Sequence, residues 1–174
     1  LAPTISHSIA TVAQLAPGRV ELGVGNGNTA RLTMGLRPVP LTQMKRDVRL
    51  IQALLRGEAA LHECEGETQL VQLLHRQHGF INIDHHIPVT LSAFGPKTLD
   101  YCGAECDAHL TWNASPDGLT TARERIAAAA RKAGRDPAQI PSKNISPLAV
   151  LRPGETSASP RVLKSLGPFI TNLL

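Results

Sequence analysis

The chain has 174 residues, of which 42% are hydrophobic, 18% charged and only 3% aromatic, with a formal net charge of +4. That length supports one domain with a core, and the scarcity of aromatics means the core is built from Leu, Val, Ile and Ala. The basic residues stand singly or in short pairs without interleaved aromatics, so the charge does not indicate nucleic-acid binding. No stretch approaches the length of a membrane helix, and no signal peptide is visible at the N-terminus. The first residue is Leu1, which leads us to expect further sequence upstream. The cysteines, Cys64, Cys102 and Cys106, are odd in number and do not make a disulfide framework, so a reducing cytoplasm is expected.

In chain order, residues 4–15 place Ile5, Ile9, Val12 and Ala13 at helical spacing, and Pro17-Gly18 end that helix. The stretch "RVELGVG" alternates as a strand, with Val20, Leu22 and Val24 on one side and Glu21, Gly23 and Gly25 on the other. "LTQMKRDVRLIQALLRGE" repeats apolar residues at Met44, Val48, Ile51, Leu54 and Leu55, an amphipathic helix with Thr42 as expected N-cap and Gly57 at its end. Residues 58–86 are irregular, with a possible hairpin and a short helix around Leu70 to Leu74. Val89 to Ala93 is a buried strand, and Gly95-Pro96 opens the next helix. Ala108 to Trp112 is a strand and "SPDG" a turn, followed by the helix "LTTARERIAAAARK", which stops at Gly134. "NISPLAVLRP" reads as a further strand, and residues 159–173 as a last helix with a possible break at Gly167-Pro168.

A helix followed by four strand–helix units argues for an α/β fold with a parallel sheet in one domain, residues 1–174. Such folds place ligands at the C-terminal ends of their strands. Here those tips are Gly25-Asn26-Gly27-Asn28, then Ser92-Ala93-Phe94-Gly95-Pro96-Lys97, then Trp112-Asn113, then Leu151-Arg152. The second tip runs into a helix N-terminus, where unpaired amides and the helix dipole suit a phosphate, and Lys97 adds a positive charge. Each tip alone also fits an ordinary glycine turn or helix start, and "GVGNG" lacks the spacing of a dinucleotide fingerprint. Together they make a phosphate-bearing ligand an open alternative to the plain turn.

These residues resemble the luciferase-like monooxygenase superfamily, whose members use a reduced flavin or a deazaflavin. "LAPGRVELGVGNGN" is similar to that family's fourth strand, and "MKRDVRLIQALLRGE" to the helix that follows. "IPVTLSAFGPKTLDYCGAECDAHLTW" resembles its I-P-V strand, A-x-G-P turn and A-D-G strand, and "AGRDPAQI" is also typical. The resemblance implies part of a (β/α)8 TIM barrel, strands four to seven with their helices. Strands one to three and eight, which carry much of the substrate pocket in relatives, have no counterpart. It further implies an oxidoreductase or monooxygenase that uses FMN or a deazaflavin coenzyme of the F420 type on a small organic substrate. Gly25, Asn26, Gly27 and Asn28 would lie beside the flavin ring. Ser92, Ala93, Phe94, Gly95 and Pro96 would wrap the phosphate or ribityl chain, with Lys97 nearby. His7 stands near a helix start where relatives sometimes carry a histidine, but a surface or helix-packing role is the reading we prefer for it. Asn28 stands where relatives often have Asp or Glu and cannot act as a carboxylate acid or base. Cys106-Asp107-Ala108 replaces A-D-G. No catalytic residue is assigned. The alternative function is a non-catalytic barrel remnant with a structural or self-associating role. In either case, open sheet edges lead us to expect a homo-oligomer.

His75, His78, His85 and His86 lie near Cys64, but no zinc-site spacing is present, and they are read as solvated loop histidines with no metal. Cys102 and Cys106 are read as small packing residues. Trp112 either lines a cofactor pocket or caps the core. No G-x-S-x-G motif supports a hydrolase.

Overall fold

The computed structural model describes residues 2–112 and 115–170, with side chains described as far as residue 167. The elements are α1 (Ala2–Leu15), β1 (Leu22–Val24), α2 (Asn28–Thr33), α3 (Leu41–Leu55), β2 (Ala60–Cys64), β3 (Glu67–Val71), β4 (Val89–Ser92), α4 (Pro96–Glu105), β5 (Ala108–Thr111), α5 (Pro116–Lys132), β6 (Ser142–Asn144) and α6 (Pro160–Ile170). Four strands form one sheet in the order β1-β4-β5-β6, and β2 and β3 form a separate hairpin. Every pairing in the larger sheet is parallel.

The register separates the two faces of this sheet. Leu22 is opposite Val89, Val24 opposite Leu91, and Leu91 opposite His109. Side chains alternate along each strand, so these residues share a face. Val89, Leu91 and Ala93 on that face join Met44 and Val48 of α3, Leu99 and Cys102 of α4, and Ile126 and Ala130 of α5 in a continuous core. The other face carries Gly23, Thr90 and Ala108 in register, then Leu110 opposite Lys143. Across it, Lys143 Nζ of β6 donates to the Glu21 carboxylate beside β1. Those strands are the two edges of the sheet. In a flat sheet they would stand about 14 Å apart. The contact shows that the sheet curls about this face, as the wall of a barrel does, and Thr90 and Ala108 on it are buried.

The helices are built as their sequences require. All five apolar positions expected on the long helix are buried in α3. Its N-cap, however, is Pro40 with no side-chain cap, so Thr42 lies inside the first turn and does not cap it. In α1 the buried residues are Ala2, Ser6, Ala10 and Ala13, whereas Ile5 and Val12 are 41% and 48% exposed. This corrects the expected apolar stripe at Ile5 and Val12, while Ile9 and Ala13 do pack on the core: α1 lies close on α3, which favours small side chains over bulky ones.

Three further expectations are corrected. Ser115-Pro116-Asp117-Gly118 is not a free turn but the start of α5, with Ser115 as N-cap accepting from Gly118 N–H at 3.3 Å. Leu70 lies in β3 and not in a short helix, because Glu65 and Gly66, both at positive φ, turn the hairpin. The strand expected over 144–153 ends at Asn144 in β6. Pro147 and Pro153 lack the N–H that a ladder needs, and one more bond, Ile145 N–H to Thr111 O at 2.8 Å, closes the pairing. Helix α6 runs through Gly167-Pro168 without a break, and residues 171–173 of the expected helix lie outside the described residues.

The bidentate pair between Arg49 and Glu105, at 2.6 and 2.5 Å, joins α3 to the end of α4. The guanidinium's hydrogen bonds hold the Glu105 carboxyl below its ordinary value of 4.5. The folded chain therefore takes up this proton at lower pH than the unfolded chain. The pair's contribution is complete above about pH 4.5 and fades as pH falls through the lower folded value. Glu105→Gln should lose less stability than the parent between pH 6 and pH 3. Urea midpoints at the two pH values check this, and the expected difference is under about 1 kcal/mol because the pair is partly exposed.

Candidate functional site at the strand tips

The C-terminal ends of the four parallel strands open on one cleft of about 700 Å³. Gly25, Asn26, Gly27 and Asn28 supply one wall, continued by Thr29 and Ala30 of α2. Ser92 and Phe94 come from the end of β4, Leu110, Thr111 and Trp112 from β5, and Ile145 from just past β6. Trp112 therefore lines the cleft.

The glycines of the first wall are there for different reasons. Gly27 sits at φ 72°, a left-handed conformation that favours glycine, and it precedes α2. Its carbonyl accepts from Arg31 N–H at 2.7 Å, and Asn26 Oδ1 accepts from Asn28 N–H at 3.1 Å. This six-residue helix buries no side chain, so no apolar periodicity announced it. Gly25 is not forced by its backbone. A Cβ there would meet Ser92 Cβ at 3.4 Å, an ordinary contact, on the face of the sheet turned away from the helices.

The second tip divides. Ser92 and Phe94 reach the cleft, and Phe94 is 56% exposed at its lip. Ala93 does not line it: its side chain is buried in the helix-covered core. Gly95 is the N-cap of α4, in extended conformation, with no side chain capping the helix. Neither strain nor crowding requires glycine here, since a Cβ would meet only Thr98 Oγ1, at 3.9 Å. Asp, Asn, Ser and Thr are the usual N-caps, so a bare N-cap leaves the helix end open to an outside acceptor. Pro96 occupies the first turn, and Lys97 stands exposed beside it. Arg125 of α5 steadies this end, donating to Pro96 O at 2.9 Å and to Asp100 at 2.7 Å.

None of the described lining residues is ionisable. The cleft is a neutral slot with two aromatic side chains beside an uncapped helix N-terminus. Its volume lies within the range of small-molecule sites. Of the other predicted tips, Asn113 lies outside the described residues, and Leu151-Arg152 does not end a strand. His7 lies exposed on α1, its carbonyl accepting from Thr11 Oγ1 at 3.0 Å. Cys102 and Cys106 are buried as expected, and burial pushes the Cys102 thiol up to about 12. The His75 and His78 rings lie 5.5 Å apart between centroids, tilted by 41°, and among the described residues no group of three metal-ligating side chains gathers. No described helix is long and apolar enough to cross a membrane.

Four parallel strands, helices on one face and a ligand-sized cleft at the strand tips define part of a (β/α)8 barrel. A sequence profile described as luciferase-like monooxygenase matches residues 4–159, and the chain belongs to that family. The 5,10-methylenetetrahydromethanopterin reductase of Methanolobus tindarius is 31% identical over 137 residues, which is 78% of this chain and 40% of the relative. Among solved structures, an F420-dependent secondary alcohol dehydrogenase in complex with an F420-acetone adduct matches with a TM-score of 0.63 at 22% identity, over 81% of this chain and 43% of that one. The FMN-bound oxygenating constituent of 3,6-diketocamphane monooxygenase from Pseudomonas putida matches with a TM-score of 0.61 at 18% identity, over 82% and 44%. The chain spans about 40% of the length of the curated relatives it matches.

Proposed function

We propose that this chain carries the coenzyme-binding strand tips of a luciferase-like oxidoreductase, taking FMN or a deazaflavin coenzyme of the F420 type and acting on a small organic substrate. One observation carries the reading: the neutral cleft, with Phe94 and Trp112 on it, opens beside the uncapped N-terminus of α4. A planar ring system suits the aromatic slot, and a phosphate suits the helix end. Bound there, such a coenzyme supplies hydride transfer or, when reduced, oxygen activation. The chain's own residues bind and orient it: Gly25 to Asn28 and Ser92 along one side, with Gly95, Pro96 and Lys97 at the phosphate. Ala93 holds the turn to Gly95 and makes no contact of its own, since its side chain lies in the core and its N–H and carbonyl are paired within the sheet. No side chain of the described cleft moves a proton, so an acid or base has to come from elsewhere.

That absence, with Asn28 in place of a carboxylate, supports a second reading, a barrel remnant without catalysis. The open edges of β1 and β6 support self-association in either case. The three unpaired thiols fit the reducing cytoplasm as its compartment.

The test uses the chain's single tryptophan, Trp112, as reporter. Its fluorescence is followed while FMN and the deazaflavin coenzyme are added, each oxidised and reduced. Saturable quenching at micromolar concentration is expected for at least one form. No quenching and no retention of any form on equilibrium dialysis would favour the remnant.

A further inference from the structure

We infer that His109 is a positioning residue, which fixes the turn from Ala93 to Gly95 and so aims the α4 N-terminus at the coenzyme phosphate; the inference rests on the coenzyme-binding reading above. His109 lies in β5 and is 1% exposed. It shares the helix-covered face with Leu91. Its Nε2 is 2.9 Å from Ala93 O, and its Nδ1 is 3.2 Å from Ser142 Oγ. A carbonyl oxygen only accepts, so Nε2 carries the proton. In the neutral ring Nδ1 then accepts from the Ser142 hydroxyl. One imidazole thus links the end of β4 through β5 to β6, and its neighbours set its tautomer.

The bond falls where the sheet gives way to the turn. The N–H of Ala93 donates to Leu110 O at 3.2 Å, the last ladder bond of β4. The carbonyl of Ala93 has His109 as its partner. The next residue, Phe94, is at the lip of the cleft, and the one after it caps α4. An apolar side chain at 109 would satisfy the core equally well. A histidine that hydrogen-bonds at both ends instead fixes the plane of the peptide leading into Phe94, and with it the direction of the helix end.

The test compares His109→Leu with His109→Gln in the full chain. Gln keeps an N–H at the reach of Nε2, and Leu keeps only apolar volume. Affinity for FMN and coenzyme F420 is read by Trp112 quenching, and the Phe94 and Gly95 amide resonances are read without coenzyme. His109→Leu should bind about tenfold more weakly, because binding must then re-order a turn that the bond holds in the free chain, at a cost comparable to one hydrogen bond, and should shift both amides. His109→Gln should restore both readouts, even where its urea midpoint is no higher than that of the Leu variant. Equal amide shifts in the two variants would overturn the inference, as would affinities that only follow stability. If His109→Leu does not fold, the ring nitrogen resonances of the parent decide: a proton on Nδ1 alone sinks it. If the parent binds neither coenzyme, the binding reading fails by itself, and the amide comparison still decides whether His109 sets the turn.

Discussion

Replacing Gly95 by Asp is expected to abolish coenzyme binding while leaving the fold as stable as the parent. The two effects separate because of where the residue stands. As the N-cap of α4, position 95 has extended backbone and open space where a Cβ would go. Asp is among the best N-caps, its charge suits a helix N-terminus, and relative to Gly the gain is a few tenths of a kcal/mol. The same carboxylate would fill the place proposed for the phosphate and repel it. Like charges brought together cost several kcal/mol, so affinity should fall at least about a hundredfold. Gly95→Ala should fall between parent and Asp, since it adds bulk without charge. Coenzyme titration with thermal melts on the same samples checks both halves. A variant that binds normally would remove the helix end from the site.

Gly103→Ala is expected to destabilise the chain by about 2 kcal/mol or more. Gly103 lies inside α4, where alanine would ordinarily gain nearly 1 kcal/mol in helix propensity. Here its Cβ would sit 2.3 Å from Ile126 O, 2.9 Å from Ala129 Cβ and 3.1 Å from Ala130 N. Two of those neighbours are backbone atoms of α5 and cannot rotate away. The helices must separate, and the core around Cys102, Ile126 and Ala130 separates with them. For a chain of this size the melting temperature should drop by about 5 °C or more. Gly23→Ala is the control: apart from its chain neighbours no atom lies within 4 Å of its added Cβ, and stability read from the urea midpoint should change by less than about 0.5 kcal/mol.

Much of this architecture was legible in the residues, and the exceptions have physical causes. The apolar period of α3 translates directly into a buried face and the alternation of β1 into a half-buried one, because each pattern has one stripe to hide. The period of α1 misled because its buried seam is made of Ala and Ser, which a hydrophobicity pattern undervalues. The hairpin could be found in "CEGE", with Gly66 at the second turn position, but not confidently separated from helix by the short run Leu70 to Leu74. At the site, Gly25 to Asn28, Ser92 and Phe94 do share one cleft. Local spacing could not show that Ala93 turns inward, or that Thr29, Ala30, Leu110, Thr111 and Ile145 complete the walls. Those facts depend on strand register. His109 was likewise unremarkable in sequence, since its role comes from carbonyl and hydroxyl partners 16 and 33 residues away.

The tie between Glu21 and Lys143 reaches further than its modest strength. It runs obliquely, from just before β1 on one edge to Lys143 on the other, opposite the cleft-lining Leu110. A diagonal brace sets the angle at which the sides of a frame stand. In the same way, two side chains outside the cleft limit how far apart its walls can stand.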